Sequence, residues 1–187
     1  MHNANVKKMV GISIMTALVV VLQLLGSFIR LGPVSISLVL IPIVVGAAAY
    51  GPGAGAFLGG VFSVVVLLQP DTVFFHNITV LGTVLTVMVK GTLCGLLAGL
   101  TYRCLAKHNQ VMAVILAAAV CPLVNTGIFA LGCRLFFWEG LAQLGGGDAA
   151  TFLFTGMIGF NFIAEFVTNL VCAPVILRIL HATKQTT

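Results

Sequence analysis

Between Arg30 and Asp71 the chain carries no charged residue. Apolar segments of that length face one solvent at low cost, the hydrocarbon of a bilayer. About 20 residues of helix cross its ~30 Å, so this run is too long for one span and must be broken. "GPGAG", Gly51–Gly55, supplies a turn signal. It leaves a short span near Ser37–Tyr50, with Pro42 inside it, and a second near Ala54–Leu68. The rest of the chain has the same character. Of 187 residues, 60% are hydrophobic and 7% are charged, whereas a soluble domain has about 25% charged residues. So few charges cannot coat a globule. The expected product is a single all-α, membrane-embedded domain over residues 1–187, without a separate soluble part.

Charged residues mark the other spans. Met9–Ile29 follows Lys7 and Lys8. It is longer than the ~7–15-residue apolar region of a signal peptide, and no small-x-small cleavage site follows, so it reads as a retained first span. Later spans lie near Thr79–Tyr102, interrupted by Lys90, near Val111–Phe137, with a kink expected at Pro122, and near Ala150–Leu177, interrupted by Glu165. The total is six transmembrane helices in one bundle. "LGPVSIS", Leu31–Ser37, reads as an ordered non-helical loop. With the N-terminus inside, Lys7, Lys8, Arg103, Lys107, Arg178 and Lys184 fall on the cytoplasmic side, and Asp71, Glu139 and Asp148 fall outside. Arg30 is the exception. Both termini are then cytoplasmic.

Three late helices carry polar residues to one depth. Lys90 precedes Arg103, and Glu165 precedes Arg178, by the same number of residues; Asn125 follows Gln110 by nearly as many. At ~1.5 Å per residue all three stand roughly 20 Å from the inner face. A lone Lys at that depth costs at least about 2.5–3.5 kcal/mol, so Lys90 should face the bundle, with Glu165 as its natural partner. Asn161, Glu165, Thr168 and Asn169 recur at helical spacing on one face. Two readings stay open: a structural ion pair with amide glue, or a polar pocket for a small solute of mixed charge and hydrogen-bonding groups. His76 and Asn77, with Phe74 and Phe75, lie in the loop between spans three and four, as a lid or as an ordinary interfacial loop. Arg134 is half a helical turn away from Asn125 and should face elsewhere. Trp138 reads as an interfacial belt residue.

Small residues suggest close packing. Gly91, Gly95 and Gly99 form a G-x-x-x-G-x-x-x-G ridge, and Gly55 and Gly59 form a similar pair. Ser13 and Ala17 form a small-xxx-small pair that could meet another membrane protein. The five cysteines (Cys94, Cys104, Cys121, Cys133, Cys172) lack C-x-x-C spacing and read as small apolar residues. There is no G-x-x-x-x-G-K-[ST], no H-E-x-x-H and no G-x-S-x-G. No catalytic residue, metal site or cofactor is therefore expected, the chain has no ATPase motif of its own, and no basic patch points to nucleic acid.

The segments "SLVLIPIVVGAAAYGPGAGAFLGGVF", "VKGTLCGLLAGLTYR", "CPLVNTGIFALG" and "GFNFIAEFVTN", in a six-helix layout, resemble the S component of energy-coupling factor (ECF) vitamin transporters. That resemblance implies a substrate-binding membrane subunit of the bacterial cytoplasmic membrane. It implies docking on a transmembrane T component carried by two cytoplasmic ATPases. Ser13 and Ala17 stand where the family has an A-x-x-x-A docking motif, a serine replacing the first alanine. The candidate substrate residues are Lys90, Asn125, Asn161, Glu165, Asn169 and His76. Lys90 with the two amides suits a carboxylate bearing hydroxyl or amide groups, of which pantothenate is one, while Glu165 suits a cationic or zwitterionic solute. Few aromatics are expected around the pocket, which argues against a large stacked ring. The alternative function is a self-sufficient, ion-coupled secondary transporter with Glu165 as the ion site.

Overall fold

A computed structural model describes residues 2–26 and 38–185, and the side chains of residues 5–26 and 38–180. Arg30 and the expected loop Leu31–Ser37 lie outside the described residues. Every regular element among the described residues is helical. In order they are α1 (His2–Gly26), α2 (Leu40–Tyr50), α3 (Pro52–Leu67), a 3₁₀ turn (Pro70–Thr72), α4 (Val73–Ile78), α5 (Val80–Leu105), α6 (Gln110–Phe136), α7 (Trp138–Leu144) and α8 (Ala149–Thr151). A π-helical stretch (Phe152–Gly159) then leads into α9 (Phe160–Val171), and α10 (Ala173–Gln185) follows.

Four segments are long and apolar enough to cross a membrane: Asn5–Gly26, Val80–Leu105, Gln110–Phe136 and Ala149–Val171. A fifth candidate is the pair Pro52–Leu67 and Pro70–Ile78, bent by 76°. The helix α2 is apolar but has only 11 residues, about half of what a bilayer requires. Large apolar side chains on the lipid-side faces stay exposed, among them Met9, Phe57, Leu81 and Phe160.

The turn between α2 and α3 is tighter than "GPGAG" implies. Gly51 alone makes it, with φ of 100° and its N–H on the carbonyl of Ala47 at 3.0 Å. Only glycine adopts that backbone readily. Pro52 then opens α3, where its missing N–H costs nothing, so Gly53 and Gly55 are helical. Their release from the turn sets the packing. Gly55 and Gly59 of α3 meet Gly95 and Gly91 of α5 backbone to backbone: a Cβ on Gly59 would strike the Gly91 carbonyl, and one on Gly95 the carbonyl of Gly55. Close approach lets Ser63 Oγ on α3 donate to Val87 O on α5 at 2.7 Å. With α3 on one side and α6 on the other, α5 is the central helix.

Two buried apolar clusters hold the bundle. One joins Val19, Leu40, Ile43, Leu58, Phe62 and Ile176. The other joins Phe75, Phe137, Leu141, Leu153 and Met157. Polar caps start two of the later segments. Asn109 Oδ1 accepts from Val111 N (2.9 Å) and Met112 N (3.1 Å) at the head of α6. Asp148 accepts from Thr151 N (3.0 Å) and Thr151 Oγ1 (2.6 Å) ahead of α8. The Thr151 hydroxyl and amide hold the exposed Asp148 carboxyl below its ordinary range.

Two sequence expectations change. "PDTVFFHN" is not a loop but a 3₁₀ turn and a short helix, because Phe75 is drawn into the second cluster. The span expected over Ala150–Leu177 is not one α-helix: it opens in π geometry and breaks at Cys172, before Pro174, which has no N–H to continue the ladder. The helix α6 runs from Gln110 to Phe136 with Pro122 inside it.

Candidate functional site

The glycine contact between α3 and α5 fixes where Lys90 stands. Lys90 follows the Val87 carbonyl that Ser63 holds, and precedes Gly91, which touches α3 directly. Its Nζ lies 5.6 Å from the ring centre of Phe62 on α3 and 5.2 Å from that of Phe129 on α6. Aromatic faces attract a cation at such distances. A cationic group in the middle of an apolar helix is thus seated between two rings.

Lys90 lines a cavity between α5, α6 and α9. Asn125 on α6 and Asn161 and Glu165 on α9 line the same cavity, with Phe129 and Met157 among its apolar walls. The even depth read from the sequence thus corresponds to real convergence of three helices. On α9, Asn161, Glu165 and Asn169 are all buried, at 5%, 5% and 1% exposure, while Ile163 and Val167 face outward. The side-chain amides are pinned along the helix: Asn161 Nδ2 donates to Met157 O at 3.0 Å and Asn169 Nδ2 to Glu165 O at 2.9 Å. Asn125 Oδ1, equally buried, has no hydrogen-bond partner. Buried polar atoms are nearly always bonded to something, and Asn125 lines the cavity with this oxygen unpaired. Asn169 does not line this cavity. His76, half-buried on α4, lines neither this cavity nor the next, although its neighbour Phe75 does line the second.

The second cavity shares Lys90 and Phe129 with the first. Beside Lys90, its polar lining is Gln23 of α1, Gln69, Asp71 and Thr72 of the bend, and Thr83 and Thr86 of α5. Phe75, Phe129 and Phe137 supply aromatic wall, with ring centres of Phe75 5.0 Å from Phe137 and 5.7 Å from Phe129. The predicted pocket around Lys90 and Glu165 has Phe129 and Phe162 as its aromatic lining, and the second cavity is richer in rings because α4 folds Phe75 inward. The threonines and both glutamines were missed as site residues. Thr83, Thr86, Val87 and Lys90 recur at three- and four-residue spacing on one face of α5, which was a usable signal. Gln69 was readable as a buried amide only once α3 was seen to bend at Pro70. Arg134 is exposed and stacks over Trp138 at 4.6 Å, away from both cavities.

The profile of one family, described as ECF transporter, substrate-specific component, matches residues 7–177. The chain belongs to that family. No curated protein and no solved structure matches it. This S component is a substrate-binding subunit embedded in the membrane, a part of a transporter rather than an enzyme. Its partners by family are a T component, ATPases and a small-molecule substrate. Buried amides and charges that would be wasteful in an inert bundle suit a subunit of that kind. The sequence resemblance and the family assignment agree.

Proposed function

We propose that this S component binds a vitamin or related small micronutrient for an ATP-driven importer of the bacterial cytoplasmic membrane. In this reading residues 1–187 form a single substrate-binding domain of six transmembrane helices, with α2 as the short second span and both termini cytoplasmic. Lys8 and Arg103 line one groove beside the Gly51 turn, which supports a common cytoplasmic end for the basic residues. The substrate residues are Lys90, Asn125, Asn161 and Glu165, with Asn169 supporting the α9 face and His76 near the entrance. The observation that carries the reading is the meeting of a cation, a carboxylate and two amides from three helices in one cavity. A carboxylate with hydroxyl or amide groups suits Lys90 and Asn125. Pantothenate is the named candidate, and Glu165 favours a solute that also carries a donor-rich or cationic end.

Docking on the T component, and through it on two cytoplasmic ATPases, uses the face of α1 with Ser13 and Ala17. Both residues are exposed and line a shallow apolar groove with Val10 and Ile14. Native mass spectrometry of the purified chain tests the binding function: one bound small solute is expected. Uptake into liposomes should then require the T component, the ATPases and ATP. Concentrative uptake by this chain alone, driven by an ion gradient, would replace the importer reading with that of a secondary transporter.

A further inference from the structure

The aromatic cavity contains a hydrogen-bonding device with one open end. Gln69 Nε2 donates to the main-chain oxygen of Gln23 at 3.0 Å. A carbonyl oxygen only accepts, so this bond fixes which side of the Gln69 amide is nitrogen. Gln69 Oε1 therefore faces Gln23, whose Nε2 donates to it at 2.8 Å. The two bonds together leave one orientation for the Gln23 amide and settle an assignment that is otherwise ambiguous. Gln23 Oε1, on a side chain only 2% exposed, is left as an acceptor without a partner.

Thr86 Oγ1 is the second open group. Its side chain is 5% exposed, lines the same cavity and has no hydrogen-bond partner. Other threonines of this wall do not share that state. Thr83 Oγ1 donates to Thr79 O at 2.8 Å and Thr72 Oγ1 to Val66 O at 2.6 Å. Local helix carbonyls satisfy those hydroxyls, as is usual in apolar helices. What remains open is a fixed amide oxygen on α1 and a hydroxyl on α5, beside the rings of Phe75, Phe129 and Phe137.

We propose that this cavity is a second compartment of the substrate site. It takes a neutral group bearing an N–H or O–H donor on an apolar or aromatic body, read by Gln23 Oε1 and Thr86 Oγ1. Lys90 and Phe129, common to both cavities, form the partition between the two ends of the solute. Charge on the solute is met at Lys90 and beyond it at Glu165, while the apolar body lies against the phenylalanines. Gln69 is a positioning residue, since by accepting from Gln23 Nε2 it holds the Gln23 amide with its oxygen turned away from Gln69. A site with open acceptors discriminates strongly against an analogue that cannot donate, because the acceptors are then buried unpaired. The inference rests on the chain being a substrate-binding subunit, but not on the identity of its solute.

Benzamide and N,N-dimethylbenzamide are the probes, as they share a ring and differ in their N–H donors. Binding to the full chain in nanodiscs is followed by saturation-transfer NMR. Benzamide should bind the wild type about tenfold more tightly than its dimethyl analogue. Thr86→Val, which keeps the side-chain shape, and Gln23→Met should each lose most of that preference with unchanged helical content. Cys104→Ser, at an exposed position that lines neither cavity, should keep it. If Gln23→Met does not fold, Thr86→Val alone decides. Equal binding of the two probes, no binding of benzamide, or a preference surviving in Thr86→Val overturns the proposal. Failure of the importer reading shows separately, as ion-driven uptake by the chain alone with the benzamide preference intact.

Discussion

Lys90→Met separates a binding lysine from a structural one. Methionine keeps the unbranched apolar stem and removes the charge. Placing Lys at this depth costs about 2.5–3.5 kcal/mol on insertion scales. Its contacts with Phe62 at 5.6 Å and Phe129 at 5.2 Å are near the outer limit for a cation over a ring, so together they return about 1–2 kcal/mol. On these terms the ammonium leaves the unliganded protein about 1–2 kcal/mol worse off, before any attraction to Glu165. Thermal unfolding of Lys90→Met in the Glu165→Gln background, which removes that attraction, should therefore occur at an equal or higher temperature than that of Glu165→Gln alone. Affinity for the co-purified solute should fall in Lys90→Met by about 10- to 100-fold, the loss of one charge-assisted hydrogen bond of roughly 1.5–3 kcal/mol. Stability is read by differential scanning calorimetry in detergent and affinity by isothermal titration calorimetry. A fall in stability of more than about 1 kcal/mol in that background, with full affinity in the folded protein, would refute the reasoning.

Gly91→Leu should destabilise by at least about 1–3 kcal/mol, because α3 leaves no room for a Cβ there and the Ser63–Val87 bond would be forced apart; denaturation in detergent checks it, and a neutral result would mean that the helices part freely. Ala17→Trp should impair co-purification with the T component and ATPases while solute affinity stays unchanged, and intact assembly would exclude this face of α1. Asp148 has a carboxyl whose folded pKa is depressed by Thr151, so its stabilising bond is present above the ordinary carboxylate range and is lost as pH falls through the lowered value. Asp148→Ala should therefore melt earlier than wild type at neutral pH and converge with it in acid; a gap that widens in acid would contradict the sign.

The candidate site was readable where a polar residue breaks an apolar helix. Lys90, Asn125, Asn161 and Glu165 were visible because hydrocarbon makes each expensive; one distance rule put Lys90, Asn125 and Glu165 at a common depth, and helical spacing put Asn161 on the Glu165 face. That rule found the wall and not its neighbours. His76 was picked for its place in an outer segment that could form a lid, and α4 turns Phe75 rather than His76 into the cavity lining. Gln23 and Gln69 escaped because each amide is uninformative until the bend at Pro70 brings them within hydrogen-bonding distance.

The sequence by itself determined that this chain is helical and lives in a bilayer, since so few charges leave no other solvent for its surface. It also determined which polar residues must be buried, because lipid hydrates none of them, and a glycine ridge announced a close helix contact. Which helix fills that contact was decided only in three dimensions, by Gly55 and Gly59 meeting Gly95 and Gly91. The tertiary structure likewise decided that Lys90 lines two cavities, and that one glutamine oxygen on α1 is left without a partner. Those facts depend on the relative placement of α1, α3, α5, α6 and α9. Periodicity along one helix carries no information about the azimuth of another.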